Sequence, residues 1–261
     1  MYEEYWGFTF SPFESVPNPN LYFPTLKHEE AIRWILYAIE KKKGAAMLTG
    51  EPGSGKTLIS RTVIQKLPEE KYNIGLITNP SLTGLDLLKE AMYQLGFENI
   101  PNEKLEIFHR LNDDLLKEHE EGRDTVLFID EAHVIGDPMI FDELRMLLNF
   151  QLNDRFLLTL ILLGQPELKE KISKIKQFEQ RIAIRYHLLP LDLNETIDYI
   201  AYRLKTAGSK RGIFTREAVE LIFKKSKGIP REINTICDTC LLIGFERKLE
   251  RIDSQTVQEL N

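Results

Sequence analysis

Apolar positions along the chain fall into two regimes. Between residues 45 and 190, short unbroken apolar runs alternate with stretches whose apolar residues recur every three or four positions. The runs at 45–49, 73–78, 125–129 and 157–163 have strand length and no polar face, and a further short strand is expected near 185–189. Helical spacing predicts helices over 57–67, 83–95, 103–120, 138–152 and 166–178. Apolar strands alternating with helices imply a parallel sheet covered on both faces. Beyond Pro190 only helical patterns remain, over 193–207, 215–227, 230–247 and a short piece from 253. Asn194 before Glu195, and Thr215 followed by Glu217, read as helix-start signals.

The first 30 residues follow neither regime. They carry Tyr5, Trp6, Phe8, Phe10, Phe13, Tyr22 and Phe23 among Pro12, Pro17, Pro19 and Pro24. Proline density excludes regular helix or central strand, and so many rings require burial. An irregular arm packed on the body is expected, then a helix over 28–43 with a basic end suited to a helix C-terminus. The expected organisation is arm and first helix at 1–43, an α/β core at 44–190, and an all-helical lid at 191–261.

Composition narrows the classes. A net charge of -6 excludes a globally basic surface for coating nucleic acid but not a local patch. No apolar run approaches the roughly 18–20 residues of a membrane span. Met1-Tyr2-Glu3-Glu4 lacks the start of a signal peptide, so a cytoplasmic chain without direct membrane insertion is expected. Cys237 and Cys240 share one face of a helical pattern with no second pair nearby, which favours buried structural thiols over a redox or zinc role.

The chemistry concentrates after the first strand. Gly50-Glu51-Pro52-Gly53-Ser54-Gly55-Lys56-Thr57 matches G-x-x-x-x-G-K-[ST] in full, between a strand and a helix. Glycines let consecutive backbone N–H groups turn inward around phosphates, and the new helix adds its positive end. Lys56 is then expected on the β and γ phosphates and Thr57 on Mg2+, with Leu58 completing the loop's contacts. Asp130, at the tip of an apolar strand placed beside the P-loop strand, supplies charge for the Mg2+ shell. Glu131 follows as general base. Asp130-Glu131-Ala132-His133 also spells a helicase tag, but one P-loop in 261 residues excludes the two lobes such enzymes need. His133 reads equally as a polar bridge or a surface residue. The absence of an Asn-Lys-x-Asp guanine reader favours ATP over GTP.

Further candidates lie downstream. Gln165 ends the strand expected beside that of Asp130, and reads either as a γ-phosphate contact or as a polar helix start. Of Arg181 and Arg185, the first is expected at the core's edge, where it reads either as a contact to a neighbouring subunit's nucleotide in a ring or filament or as an ordinary surface arginine, and the second in a local ion pair. Arg231, in Gly228-Ile229-Pro230-Arg231, opens a lid helix and can bend back over the core.

Together these motifs resemble the AAA+ ATPases, over nearly the whole chain, and most closely the general secretion pathway A (ExeA-like) branch. Phe8-Thr9-Phe10-Ser11-Pro12-Phe13, Pro17-Asn18-Pro19-Asn20, His28-Glu29-Glu30-Ala31, Leu163-Gly164-Gln165-Pro166-Glu167-Leu168 and residues 180–188 carry that likeness. The resemblance implies a P-loop three-layer αβα core with a helical lid, an adenine pocket lined by Phe13 and His28, Arg181 as finger, Arg231 as lid sensor and Gln165 as strand-tip sensor. It also implies a homo-oligomer, ring or filament. Full-length secretion members carry a membrane span and a peptidoglycan-binding domain after the ATPase. This sequence to Asn261 has neither, which leaves a stand-alone ATPase, a partner-dependent variant and an excised domain open.

Three functions compete at this stage. They are an ATPase motor or switch for secretion- or pilus-type envelope assembly with an envelope-associated partner, a DNA-bound transposition regulator of the MuB and TniB type, and an ATP-sensing scaffold with little turnover. The acidic balance disfavours DNA. Lys171, Lys174, Lys176, Lys210, Arg211, Lys224, Lys225 and Lys227 read as solvated helix faces before they read as a DNA surface.

Overall fold

The structure is a computed structural model and describes residues 2–14 and 21–260. The segment Pro17-Asn18-Pro19-Asn20 lies outside the described residues. Five strands, β1 (Ala45–Gly50), β2 (Tyr72–Ile77), β3 (Asp124–Ile129), β4 (Leu158–Gly164) and β5 (Ile182–Leu188), form one parallel sheet in the order β2-β3-β4-β1-β5. Every residue of β1 and β4 is buried, as are the last five of β3, so these strands are covered on both faces. The edge strands β2 and β5 mix buried and partly exposed positions. One correction to the sequence reading matters for the site: β3 is not beside β1, because β4 separates them.

The chain forms two compact units. One holds residues 26–50 and 59–188. It contains the sheet together with α2 (Leu26–Glu40), most of α3 (Lys56–Lys66), α4 (Gly84–Gln94), α5 (Lys104–Glu120), α6 (Pro138–Leu147), α7 (Glu167–Ser173) and α8 (Lys176–Glu179). Its core is almost wholly aliphatic, with Leu127, Ile129, Leu160 and Leu162 of the sheet meeting Leu88, Leu111, Leu144 and Leu168 of the helices. The continuous helix expected over 166–178 is broken at Ile175, which has φ -113° and ψ 74°. Ile172 and Phe178 are both buried, and at about 100° per residue an unbroken helix would set them about 120° apart. The helix expected over 138–152 stops at Leu147, where i to i-3 bonds from Leu148, Asn149 and Phe150 close it.

The other unit holds residues 2–14, 21–25, 51–58 and 189–260. Its helices are α1 (Glu3–Trp6), α9 (Leu193–Thr206), α10 (Arg216–Ser226), α11 (Pro230–Glu246) and α12 (Ser254–Gln258). The arm is therefore not wholly irregular, since α1 forms one turn. Trp6 Nε1 donates to Leu241 O at 2.9 Å, and Tyr2 bonds Asp238. Arg203, buried on α9, donates to Pro12 O (2.6 Å), Glu14 O (2.9 Å) and the Tyr199 hydroxyl (3.0 Å), which donates to Asn234 Oδ1 at 2.7 Å. Carbonyls and a phenol thus satisfy the buried guanidinium. The cap of α9 is Asp192, in a capping box with Glu195, not Asn194 as the sequence suggested. Asp192 sits one residue upstream of the helix and its carboxylate reaches the Glu195 N–H.

Candidate functional site

Parallel register brings three strand ends to one edge of the sheet. Thr49 pairs with Gly164 and Ile129 with Leu162, so Gly50, Asp130 and Gln165 leave three neighbouring strands at the same edge. In open α/β sheets that C-terminal edge is where ligands bind.

The turn after β3 is tightly built. Asp130 is 3% exposed and its N–H donates to Ile77 O at 2.8 Å. Its Oδ1 accepts the Glu131 N–H at 2.8 Å. Glu131 is left-handed (φ 53°, ψ 30°), a conformation that costs a non-glycine residue about 1–2 kcal/mol. Val134 N–H bonds Glu131 O at 2.9 Å and closes a 3-10 turn over Ala132–Val134. The Glu131 carboxylate is 42% exposed, so it is open to solvent while its backbone is fixed. His133 Nε2 lies 3.4 Å from that carboxylate, which favours the bridging reading of this histidine. Lys171 Nζ donates to His133 O (2.5 Å) and Ile135 O (2.8 Å). No local pattern of residues points to this tie, which removes Lys171 from the set of solvated lysines.

The loop at 51–57 belongs to the other unit, together with α11. Gly53 and Gly55 have φ 77° and 104°, where side chains are strained. Glu51 O accepts from both the Ser54 N–H (3.1 Å) and Lys56 Nζ (3.0 Å). Lys56 is buried, and Thr57 and Leu58 are partly so. Pro52 is exposed at the outer bend. The Arg231 N–H donates to Gly53 O at 3.3 Å, satisfying an amide of α11 whose cap residue Ile229 offers no side-chain acceptor. A methyl group on Gly53 would lie 2.6 Å from Arg231 Cβ. Glycine is thus required here by both backbone angle and contact. The Arg231 residue itself is exposed.

The remaining candidates have these positions. Gln165 is partly buried, and its carbonyl accepts the Leu168 N–H at the start of α7. Arg181, just ahead of β5, donates to Asn149 Oδ1 at 3.2 Å. Arg185 bonds Glu179 O at 2.6 Å and faces its carboxylate at 3.7 Å, the local pairing expected of it. His28 is buried in the first turn of α2. Phe13, 2% exposed, packs edge-on against Phe214 at 6.2 Å. Cys237 and Cys240 are free and buried in α11, and burial pushes the Cys240 thiol up to about 12. No helix among the described residues is long and apolar enough to cross a membrane.

The loop's cradle fits a phosphate chain, and the buried Asp130 carboxylate is a hard oxygen donor suited to Mg2+. Residues 39–172 match the model of an AAA domain. The chain is 38% identical over 257 residues to General secretion pathway protein A of Aeromonas hydrophila, covering 97% of this chain and 46% of that protein. It spans about half the length, or less, of the curated relatives it matches. Among solved structures it resembles Aeropyrum pernix ORC1 in complex with DNA (TM-score 0.69, 16% identity, 95% of this chain and 68% of that one). Cdc6p from Pyrobaculum aerophilum is similar too (TM-score 0.69, 17% identity, 91% and 67%). These two likenesses establish the fold.

Proposed function

The chain belongs to the AAA domain family, and from that premise we propose that it binds and hydrolyses ATP. The observation that carries the reading is the loop itself: two glycines in the left-handed region, and a buried lysine folded back onto the loop carbonyl. In this reading Gly50 to Leu58 wrap the phosphates, Lys56 neutralises the β and γ oxygens, and Thr57 and Asp130 hold Mg2+. Bound Mg2+ would neutralise charge on the transferring phosphoryl group. Glu131 orients and deprotonates the attacking water. Gln165 touches the γ-phosphate, Phe13 and His28 contact the adenine, and Arg231 reports nucleotide state to the lid. Arg181 serves a neighbouring subunit's nucleotide within a homo-oligomer. The 1–43, 44–190 and 191–261 division is the module plan this reading uses.

The process we propose is assembly of a secretion-type envelope system through a protein partner, with the chain at most peripheral to the membrane. Its support is the 38% identity to General secretion pathway protein A.

The decisive measurement pairs ATP binding with phosphate release for wild type, Lys56→Ala and Glu131→Gln. Wild type should turn over, Lys56→Ala should lose binding, and Glu131→Gln should bind ATP within about twofold of wild type while losing turnover by about 100-fold or more. Wild-type inactivity at every protein concentration overturns the hydrolase reading and leaves an ATP-sensing scaffold. Mixing Arg181→Ala with Lys56→Ala chains should restore activity, and failure to do so removes the finger from Arg181.

A further inference from the structure

We infer that Lys171 is a positioning residue for hydrolysis, holding the Glu131 turn from the segment that carries Gln165. The inference rests on the ATPase reading above. Glu131 occupies a left-handed conformation that its own side chain does not favour. Local bonds from Asp130 and Val134 fix its amide and carbonyl. Further along the turn, the carbonyls of His133 and Ile135 both accept from the Lys171 ammonium, at 2.5 and 2.8 Å. Charge-assisted bonds of this kind are about twice as strong as neutral ones. Lys171 is one turn into α7, which starts directly after Gln165 and Pro166. A second contact ties the same segments: a methyl group on Gly164 would sit 3.2 Å from the His133 amide nitrogen. The glycine at the tip of β4 therefore lets strand and turn approach, and Lys171 fastens them. Base and strand-tip glutamine are carried on one joined piece.

The test compares steady-state hydrolysis and direct ATP binding for wild type, Lys171→Met, Lys171→Arg, Glu131→Gln and the Glu131→Gln/Lys171→Met double variant. Lys171→Met should lower kcat about tenfold or more with KM and ATP affinity within about twofold, since small misplacement of a catalytic group is costly. Lys171→Arg, which keeps two donors, should recover most of the rate. The double variant should be no slower than Glu131→Gln alone, because Lys171 acts through Glu131. An unchanged kcat in Lys171→Met, a parallel loss of ATP binding, or additive losses in the double variant each overturn the inference. If Lys171→Met melts below the assay temperature, Lys171→Gln is measured instead, and a wild-type kcat there overturns it equally. Active wild type with inactive Glu131→Gln and unaffected Lys171→Met sinks this inference alone. An inactive wild type sinks the ATPase reading and this inference with it.

Discussion

The loop at 51–57 and the turn at 130–135 both take the backbone through the left-handed region, by opposite means. In the loop, glycines at 53 and 55 carry the unusual angles at no steric cost, and the space of a missing side chain is used by Arg231. In the turn a glutamate carries them, and hydrogen bonds from Asp130, Val134 and Lys171 hold it there. Under the proposed ATPase reading, the difference follows from what each must present. A phosphate cradle works with backbone N–H groups, so the side chain is dispensable. A water-activating base works with a carboxylate, so the side chain is kept and the surroundings supply the restraint.

Substitutions in the two segments test this contrast. Gly53→Ala should have the largest effect, a loss of about 3 kcal/mol in the unfolding free energy, because left-handed strain and a 2.6 Å approach to Arg231 Cβ act together. Denaturant melts measure it, and a change below about 1 kcal/mol would mean that the loop tolerates a side chain. Gly164→Ala comes next, at about 1–2 kcal/mol, since a methyl group there meets Leu168 Cδ2 at 2.9 Å and the His133 nitrogen at 3.2 Å. Glu131→Gly should act in the other direction. Relief of roughly 1–2 kcal/mol of strain exceeds the roughly 0.5–1 kcal/mol entropic cost of glycine, so the variant should melt higher while losing turnover. A lower melting temperature would contradict the strain assigned to Glu131. His133→Gln should be smallest, within about 0.5 kcal/mol, because at 3.4 Å its contact with Glu131 is loose. A large shift would move the turn's main restraint from Lys171 to His133.

The same contrast explains what could be read from sequence. The loop was legible because its requirements are local: glycine spacing, one lysine and one hydroxyl inside eight residues. The strands were legible because each is an apolar run bounded by turn residues. Strand order was not, and Asp130 was set one strand too close to the P-loop, since nothing local to 125–131 records that β4 lies between. The ties of Lys171 and Asn149 are not legible in sequence because their partners, His133 and Arg181, are 38 and 32 residues away. Arg203 is one more cation in a helical pattern, and only its bonds to the arm's carbonyls at Pro12 and Glu14 reveal its task. The break at Ile175 likewise answers a demand of the core that helical spacing does not carry.

The bonds of the arm also set a schedule. Residues 2–14 leave the ribosome long before their partners, since Tyr2, Tyr5 and Trp6 bond Asp238, Leu249 and Leu241. At roughly 5–20 residues per second, the arm waits on the order of tens of seconds for those partners. The sheet, complete at Leu188, can close during that interval, whereas the helical unit waits for α12, which ends at Gln258. During synthesis, then, these aromatics are a nascent segment awaiting its seat, apolar surface on offer to a chaperone.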